Sequence, residues 1–244
     1  MIEKKADYPL QDFYGDIYLT YDRVNRIFTF GRDRSWREKA AIACLESKPR
    51  RVLDLCTGTG DFILQVARLC EEDVSLTGYD FSHSMLEEAR MKSEIVRQEH
   101  QIPGIKFLEG EVKNMPFKDG QFDVIGITFG IRNLVYENSL AQQHLAEIYR
   151  VLKPGGRLVI LESSRPANPI WRIFNTIYLR LILPYLGGVF SGNLKAYRYL
   201  ALSSRNYYSI PEMGSILQKT NFILLEGKPL FLGSVMLVVA QKNE

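Results

Sequence analysis

Residues 51–67 constrain what this 244-residue chain can fold into more than any other stretch. RVLDLC (51–56) is a short apolar run rich in strand formers. It enters the glycine turn TGTGD (57–61), after which Ile63, Val66, Ala67 and Cys70 recur at helical spacing. A strand that feeds through a glycine loop straight into a helix is a unit of a parallel α/β sheet. The unit repeats. VSLTGYD (74–80), IKFLEGE (105–111), FDVIGITFG (122–130) and RLVILES (157–163) read as strands, and 122–130 is nearly all apolar, as a strand buried on both faces is. Ser84 and Glu87 have capping-box spacing at the start of a helix that runs to about His100. Ala141, Leu145, Ile148 and Leu152 make a second helical face, stopped by Lys153-Pro154-Gly155-Gly156. NFILLEG (221–227) and SVMLVVAQK (234–242) close the sheet. The expected architecture is α/β and Rossmann-like. It has a mostly parallel seven-stranded sheet, helices on both faces and right-handed crossovers.

Two segments stand outside that repeat. Residues 1–50 look helical and hold many aromatics, among them Tyr8, Tyr21, Phe28, Phe30 and Trp36. Residues 164–220 form an aromatic, helical insertion before the last two strands. The chain therefore divides into a cap (1–50), a core (51–163 and 221–244) and an insertion (164–220). Cap and insertion are placed to cover the carboxyl edge of the sheet, where open α/β folds bind ligands. With 31 Lys and Arg against 28 Asp and Glu, charge does not point to nucleic acid. Cys44, Cys56 and Cys70 form no CxxC or CxxH, so neither a disulfide scaffold nor a metal site is expected. That cysteine usage fits a reducing cytoplasm, and MIEKKADYPLQDF carries no secretory signal. The most apolar stretch, 169–190, contains Arg172, Arg180 and Pro184, and no spanning helix is expected.

The glycine loop narrows the ligand. Gly58 and Gly60 let backbone approach a bound group closely, and the next helix offers free N–H groups. A dinucleotide fingerprint needs a third glycine where this chain has Ile63, and no Gly-Lys-Ser/Thr follows for a phosphate loop. Instead, acids end three successive strands. Asp54 suits a cationic group near the loop. Asp80, twenty residues past Gly60, is placed to accept ribose hydroxyls, and Glu111 beside Val112 could hold an adenine amine. A ribose, an amine and a sulfonium together describe S-adenosylmethionine. Each acid alone reads more simply as a solvated loop carboxylate.

With these residues in view, the sequence resembles the ubiquinone/menaquinone biosynthesis C-methyltransferase family, within the class I S-adenosylmethionine-dependent methyltransferases. The matching residues run along nearly the whole chain. They include Tyr21-Asp22-x-x-Asn25, Arg34-x-Trp36-Arg37, Asp54 to Asp61, Asp80-Phe81-Ser82, Met115-Pro116-Phe117, Phe129-Gly130-Ile131-Arg132-Asn133, Arg150 to Gly156 and Leu161 to Pro166. The glycine loop and the Lys-Pro-Gly-Gly turn occur in many methyltransferases, whereas the Phe-Gly-Ile-Arg-Asn and Tyr-Asp-x-x-Asn motifs mark the quinone family. The resemblance implies methyl transfer to a ring carbon of a polyprenyl quinol, most simply demethylmenaquinol. It also carries the family's cofactor contacts onto Thr59, Asp80, Glu111, Val112 and Thr128. Two positions depart from the pattern: Glu111 is longer than the usual Asp or Asn, and Leu202-Ser203 stands where a Glu-Ser pair is common.

Carbon methylation of a quinol needs an ionised ring hydroxyl, and a phenol titrates near ~10. A guanidinium stabilises that anion without itself being a plausible base. Arg132, just past the fourth strand, is the candidate, with Asn133 to orient a hydroxyl or a water. Tyr21 and Tyr197 are candidates to hydrogen-bond the ring hydroxyl or close the site. The plainer reading of Arg132 is a salt bridge that pins the cap, and of either tyrosine, packing. His83, His100 and His144 are expected at the surface or in packing. The stretch 169–190 is either a core-packing helix or a lid for the polyprenyl tail, in peripheral contact with the inner face of the membrane, where Arg172 and Arg180 would meet headgroups. A homodimer is left open. Two other functions compete: a methyltransferase for another apolar small molecule, and a non-catalytic S-adenosylmethionine-binding member of a quinone-synthesis complex.

Overall fold

The computed structural model describes residues 22, 25–191, 194, 198, 201, 202, 204 and 207–244. Tyr21 and Tyr197 lie outside them. Seven strands form one sheet in the order β3-β2-β1-β4-β5-β7-β6. They are β1 (Arg51–Leu55), β2 (Ser75–Asp80), β3 (Ile105–Glu109), β4 (Phe122–Thr128), β5 (Leu152–Ser163), β6 (Phe222–Leu230) and β7 (Val235–Lys242). β1 to β5 pair in parallel, while β7 runs antiparallel to both β5 and β6. The strand order reverses between β1 and β4. That is the switch point at which doubly wound sheets open a crevice.

Alternation along the central strands builds two cores. Leu53, Ile125, Leu158 and Ile160 face one way and pack with Leu145 and Ile148 of α5 (Ala141–Val151) and with Met213 and Leu217 of α8 (Ile210–Lys219). Val52, Val124, Val159 and Leu161 face the other way. They meet Trp36, Ala40 and Cys44 of α1 (Asp33–Leu45) and Phe62, Ile63 and Val66 of α2 (Asp61–Ala67). Helix α3 is His83–Glu99, and α4 is the short turn Ile131–Val135 after β4. The insertion contributes α6 (Pro169–Ile177), a π-helical turn (Tyr178–Ile182) and α7 (Leu183–Ser191).

Two local expectations are corrected. The cap of α3 is Ser82, whose Oγ accepts from the Met85 amide at 3.4 Å, and not Ser84. The Ser82 amide is in turn held at 2.9 Å by Asp80, which places the helix start two residues earlier. The Lys-Pro-Gly-Gly turn lies inside β5, which begins at Leu152.

Candidate active site

Two cavities open at the carboxyl edge. The first, of about 360 Å3, sits at the switch point over the glycine loop. Gly58 and Gly60 both adopt left-handed backbone, with φ of 55° and 82°, and Gly60 starts α2. Between strand and loop, Cys56 takes φ 59°, which a non-glycine residue adopts only at a steric cost. Gly130 is needed where the β4 loop passes this point, because a Cβ there would lie 2.5 Å from the Cβ of Cys56.

Asp80 reaches across the mouth of β1. Its Oδ2 accepts the Gly58 amide and its Oδ1 the Ser82 amide, each at 2.9 Å. Burial pushes its carboxyl above the ordinary range, even though backbone amides at Ser82, Gly58 and Phe81 pull the other way. Each oxygen accepts more than one hydrogen bond, so both can also receive a hydroxyl from a ligand. Thr59 donates from Oγ1 to Asp22 at 2.9 Å, and Lys92 of α3 pairs with both Asp22 and Asp61. This cluster ties the N-terminal segment to the loop.

The other candidates fall around these. Val112, Thr128 and Asn133 line the first cavity, along with Phe81, Met85 and Leu134, whose apolar surfaces suit a purine. Glu111 lines it too, but its side chain is exposed and paired with Lys113. Asp54 does not line the cavity. It is fully buried beneath the loop, where Oδ2 accepts from Thr57 Oγ1 at 2.6 Å and Oδ1 has no hydrogen-bond partner among the described residues. Burial pushes its carboxyl up to about 7. His144, expected in packing or at the surface, is buried at the cavity wall, with Nδ1 2.9 Å from the Leu134 carbonyl. His83 and His100 are exposed.

Arg132 faces the second cavity, of about 420 Å3, which is walled by Phe28, Trp36, Trp171, Phe174, Tyr178 and Phe231. The two cavities share Phe129 and Arg37 as a partition. Phe129 holds a left-handed backbone (φ 56°), and the Arg37 guanidinium lies 5.3 Å over its ring. Arg37 is itself held by Asp33 at 2.7 Å. Arg132 is almost fully buried. Its Nη1 lies 3.6 Å from Oε1 of Glu162 and donates to Ser163 and Ser204, while its backbone N–H donates to Oε2 of Glu162 at 3.3 Å. The arginine is thus ion-paired to the acid at the end of β5. Sequence reasoning missed Glu162. Its signal was an acid closing an otherwise apolar strand, a position that demands a partner.

A donor cavity at the switch point, a glycine loop entered from β1, and an acid at the end of β2 define a class I S-adenosylmethionine-dependent methyltransferase. The residues present fit that donor. The first cavity lies in the size range of small-molecule sites, and Asp80 in its wall keeps acceptor capacity.

The chain belongs to the ubiE/COQ5 methyltransferase family, whose sequence model matches residues 1–242. It is an S-adenosylmethionine-dependent methyltransferase. A demethylmenaquinone methyltransferase from Thermus thermophilus is 42% identical over 188 residues, 77% of this chain and 80% of that protein. One from Deinococcus radiodurans is 37% identical, covering 87% of this chain and 84% of its own length. A ubiquinone/menaquinone biosynthesis C-methyltransferase from Geotalea daltonii is 36% identical over 96% of each chain. Among solved structures, a methyltransferase from Thermotoga maritima covers 96% of this chain and 100% of its own, with TM-score 0.62 and 19% identity. The [4+2]-cyclase SpnF matches equally well in shape, with TM-score 0.62 and 17% identity, over 87% of this chain and 81% of its own. These likenesses show the fold alone.

Proposed function

We propose that the chain methylates a ring carbon of a polyprenyl quinol, most simply demethylmenaquinol, as the names of its relatives suggest. The observation that carries this reading is the second cavity. It is aromatic-walled, adjoins the donor cavity across Phe129, and is lined by two buried guanidiniums, Arg132 and, in the partition, Arg37. A flat diol fits between such walls, and the partition brings its edge toward the donor side.

When bound, the donor supplies a sulfonium methyl, which the ring carbon takes as the carbon–methyl bond forms and the sulfur–methyl bond breaks. The chain's part is to make that carbon nucleophilic. Arg132, fixed by Glu162, Ser163 and Ser204, holds positive charge where a ring hydroxyl would ionise, and water takes the proton. The anion delocalises onto the ortho carbon, and the displaced ring proton leaves to water once the methyl is in place. Asn133, on the donor side of the same short helix, orients the hydroxyl or that water. Asp80 and the glycine loop hold the donor, with Thr59, Val112 and Thr128 completing its seat. Holding both reactants in line supplies much of the remaining rate. The cap and the insertion act as covers, since Asn25 and Phe28 on one side and Trp171 and Tyr178 on the other wall the cavity.

Labelled methyl transfer to a set of demethylated quinols under reducing conditions tests this. Label in the ring carbon of a naphthoquinol or benzoquinol supports the reading. Label only on hydroxyl oxygen, or none on any quinol, overturns it.

A further inference from the structure

Among the described residues that line the second cavity, Asp33 is the one carboxylate. It stands in the first turn of α1 and is 3% exposed. A carboxylate so deeply buried needs donors for its oxygens. Oδ2 has one, since Arg37 donates from Nη1, one helical turn on, at 2.7 Å. Oδ1 is less well served. Thr29 Oγ1 lies 2.9 Å from it but also 2.8 Å from the Asn25 carbonyl, and a hydroxyl has a single proton to give. The Arg37 side of the pair is open too. Its Nε is buried and has no hydrogen-bond partner among the described residues. The pair therefore offers the cavity an acceptor and a donor side by side, and the methyl transfer as described uses neither.

Only a group that both donates and accepts satisfies such a pair, and a hydroxyl is one. A carbonyl oxygen can take the Arg37 donor but turns lone pairs toward the carboxylate. A bare ring edge leaves both groups without a partner, which is costly in a buried site. Arg132 reaches the same cavity from α4. A guanidinium donates to a carbonyl as readily as to a hydroxyl, so Arg132 alone does not tell a diol from a dione. Asp33 does, because an ionised carboxylate only accepts.

We propose that Asp33 and Arg37 hold the second ring hydroxyl of the quinol, the one that stays protonated, and so make the cavity specific for a diol. That hydroxyl donates to Asp33 and accepts from Arg37 Nε, while the first ionises beside Arg132. No proton leaves at Asp33; it sets specificity, and the activation of the ring stays with Arg132. A site built to hydrogen-bond a hydroxyl rejects the analogue that lacks it, because the buried groups are then left unpaired. The assignment rests on the quinol reading above and deepens it.

Calorimetry on the full chain, without air and with S-adenosylhomocysteine present, tests this with three tail-less probes: para-dihydroxynaphthalene, its dione and the corresponding mono-hydroxy compound. The parent should bind the diol at least about tenfold tighter than either of the others. In Asp33→Asn the amide can donate to a carbonyl, and the preference over the dione should fall to about threefold or less. In turnover the Asp33→Asn loss should fall mainly on KM, whereas the Arg132→Gln loss falls on kcat. A pair that only pins α1 would lower Tm on substitution and leave the binding ratios where they were. Should Asp33→Asn fail to fold with Arg37 unpaired, the double variant Asp33→Asn, Arg37→Gln, which buries no charge, reads the same ratios. A parent that binds the dione within about threefold of the diol overturns the assignment, as does either variant that keeps the parent's preference. Normal methyl transfer to quinols with an unmoved preference sinks this assignment alone; no transfer to any quinol sinks the reading beneath it as well.

Discussion

Replacing Arg132 and Glu162 one at a time and together separates a guanidinium that acts on substrate from one that only packs. The two side chains are 3% and 0% exposed, with Nη1 3.6 Å from Oε1. Arg132→Gln strands a carboxylate in the interior, and breaking a buried pair costs roughly 3–5 kcal/mol. Glu162 keeps the amides of Ser163, at 2.8 Å, and of residue 132 itself, so the loss should fall at the low end, about 3 kcal/mol. In a chain of this size that lowers Tm by roughly 10 °C. Glu162→Gln alone, which removes the carboxylate paired with Arg132, should cost a similar amount. The double variant buries no charge and should lie within about 1 kcal/mol of the parent. Turnover, in contrast, should stay down about a hundredfold or more in the double variant, the scale of losing one donor to a developing oxyanion. Thermal unfolding and methyl-transfer rates on the four proteins read both quantities. A double variant that is stable and turns over within a few-fold of the parent would refute the catalytic reading. A single Arg132→Gln protein as stable as the parent would refute the buried pair.

Three further outcomes follow from the donor site. Asp80→Asn should weaken S-adenosylmethionine binding by roughly ten- to a hundredfold by calorimetry, because charge-assisted acceptors contribute about 1.5–3 kcal/mol, while the fold persists. Asp54 titrates in the fold at about 7, above its ordinary value near 4. The folded chain therefore binds more protons between those values, and this group makes stability fall as pH rises through that window, by on the order of 4 kcal/mol in total. Urea unfolding across the window should show that slope in the parent and a shallower one in Asp54→Asn, the remainder coming from Asp80, whose carboxyl burial also raises; a slope that the substitution leaves unchanged assigns the titration elsewhere. Gly130→Ala forces a Cβ to 2.5 Å from that of Cys56 and should cost about 1–3 kcal/mol, with turnover falling further because the Arg132 helix starts there. An unchanged Tm would show that the two loops yield freely.

The sheet was legible because apolar runs, glycine turns and helical spacing agree in sign along the core. Asp80 was legible for the same reason, since an acid that ends the second strand of such a sheet has one place to be. Asp54 was not, because ending a strand does not say whether a side chain stands on the edge or beneath the loop that follows; Thr57 draws this one under. The sequence does not show that the exposed Glu111 carboxylate meets Lys113, two residues on. Glu162 and Ser204 lie 30 and 72 residues from Arg132, and only the folded insertion brings them together. The start of α3 slipped by two residues because Ser82 and Ser84 both suit a cap, and the Asp80 carboxylate chose between them.

The central claim is that Arg132 makes a bound ring hydroxyl more acidic. The direct measurement is an ultraviolet titration of a tail-less dihydroxynaphthalene bound to the parent and to the Arg132→Gln, Glu162→Gln double variant, with S-adenosylhomocysteine present. The account predicts that the bound hydroxyl ionises below its free value near ~10 in the parent and returns toward it in the variant. A bound hydroxyl that ionises at or above its free value in the parent would contradict it.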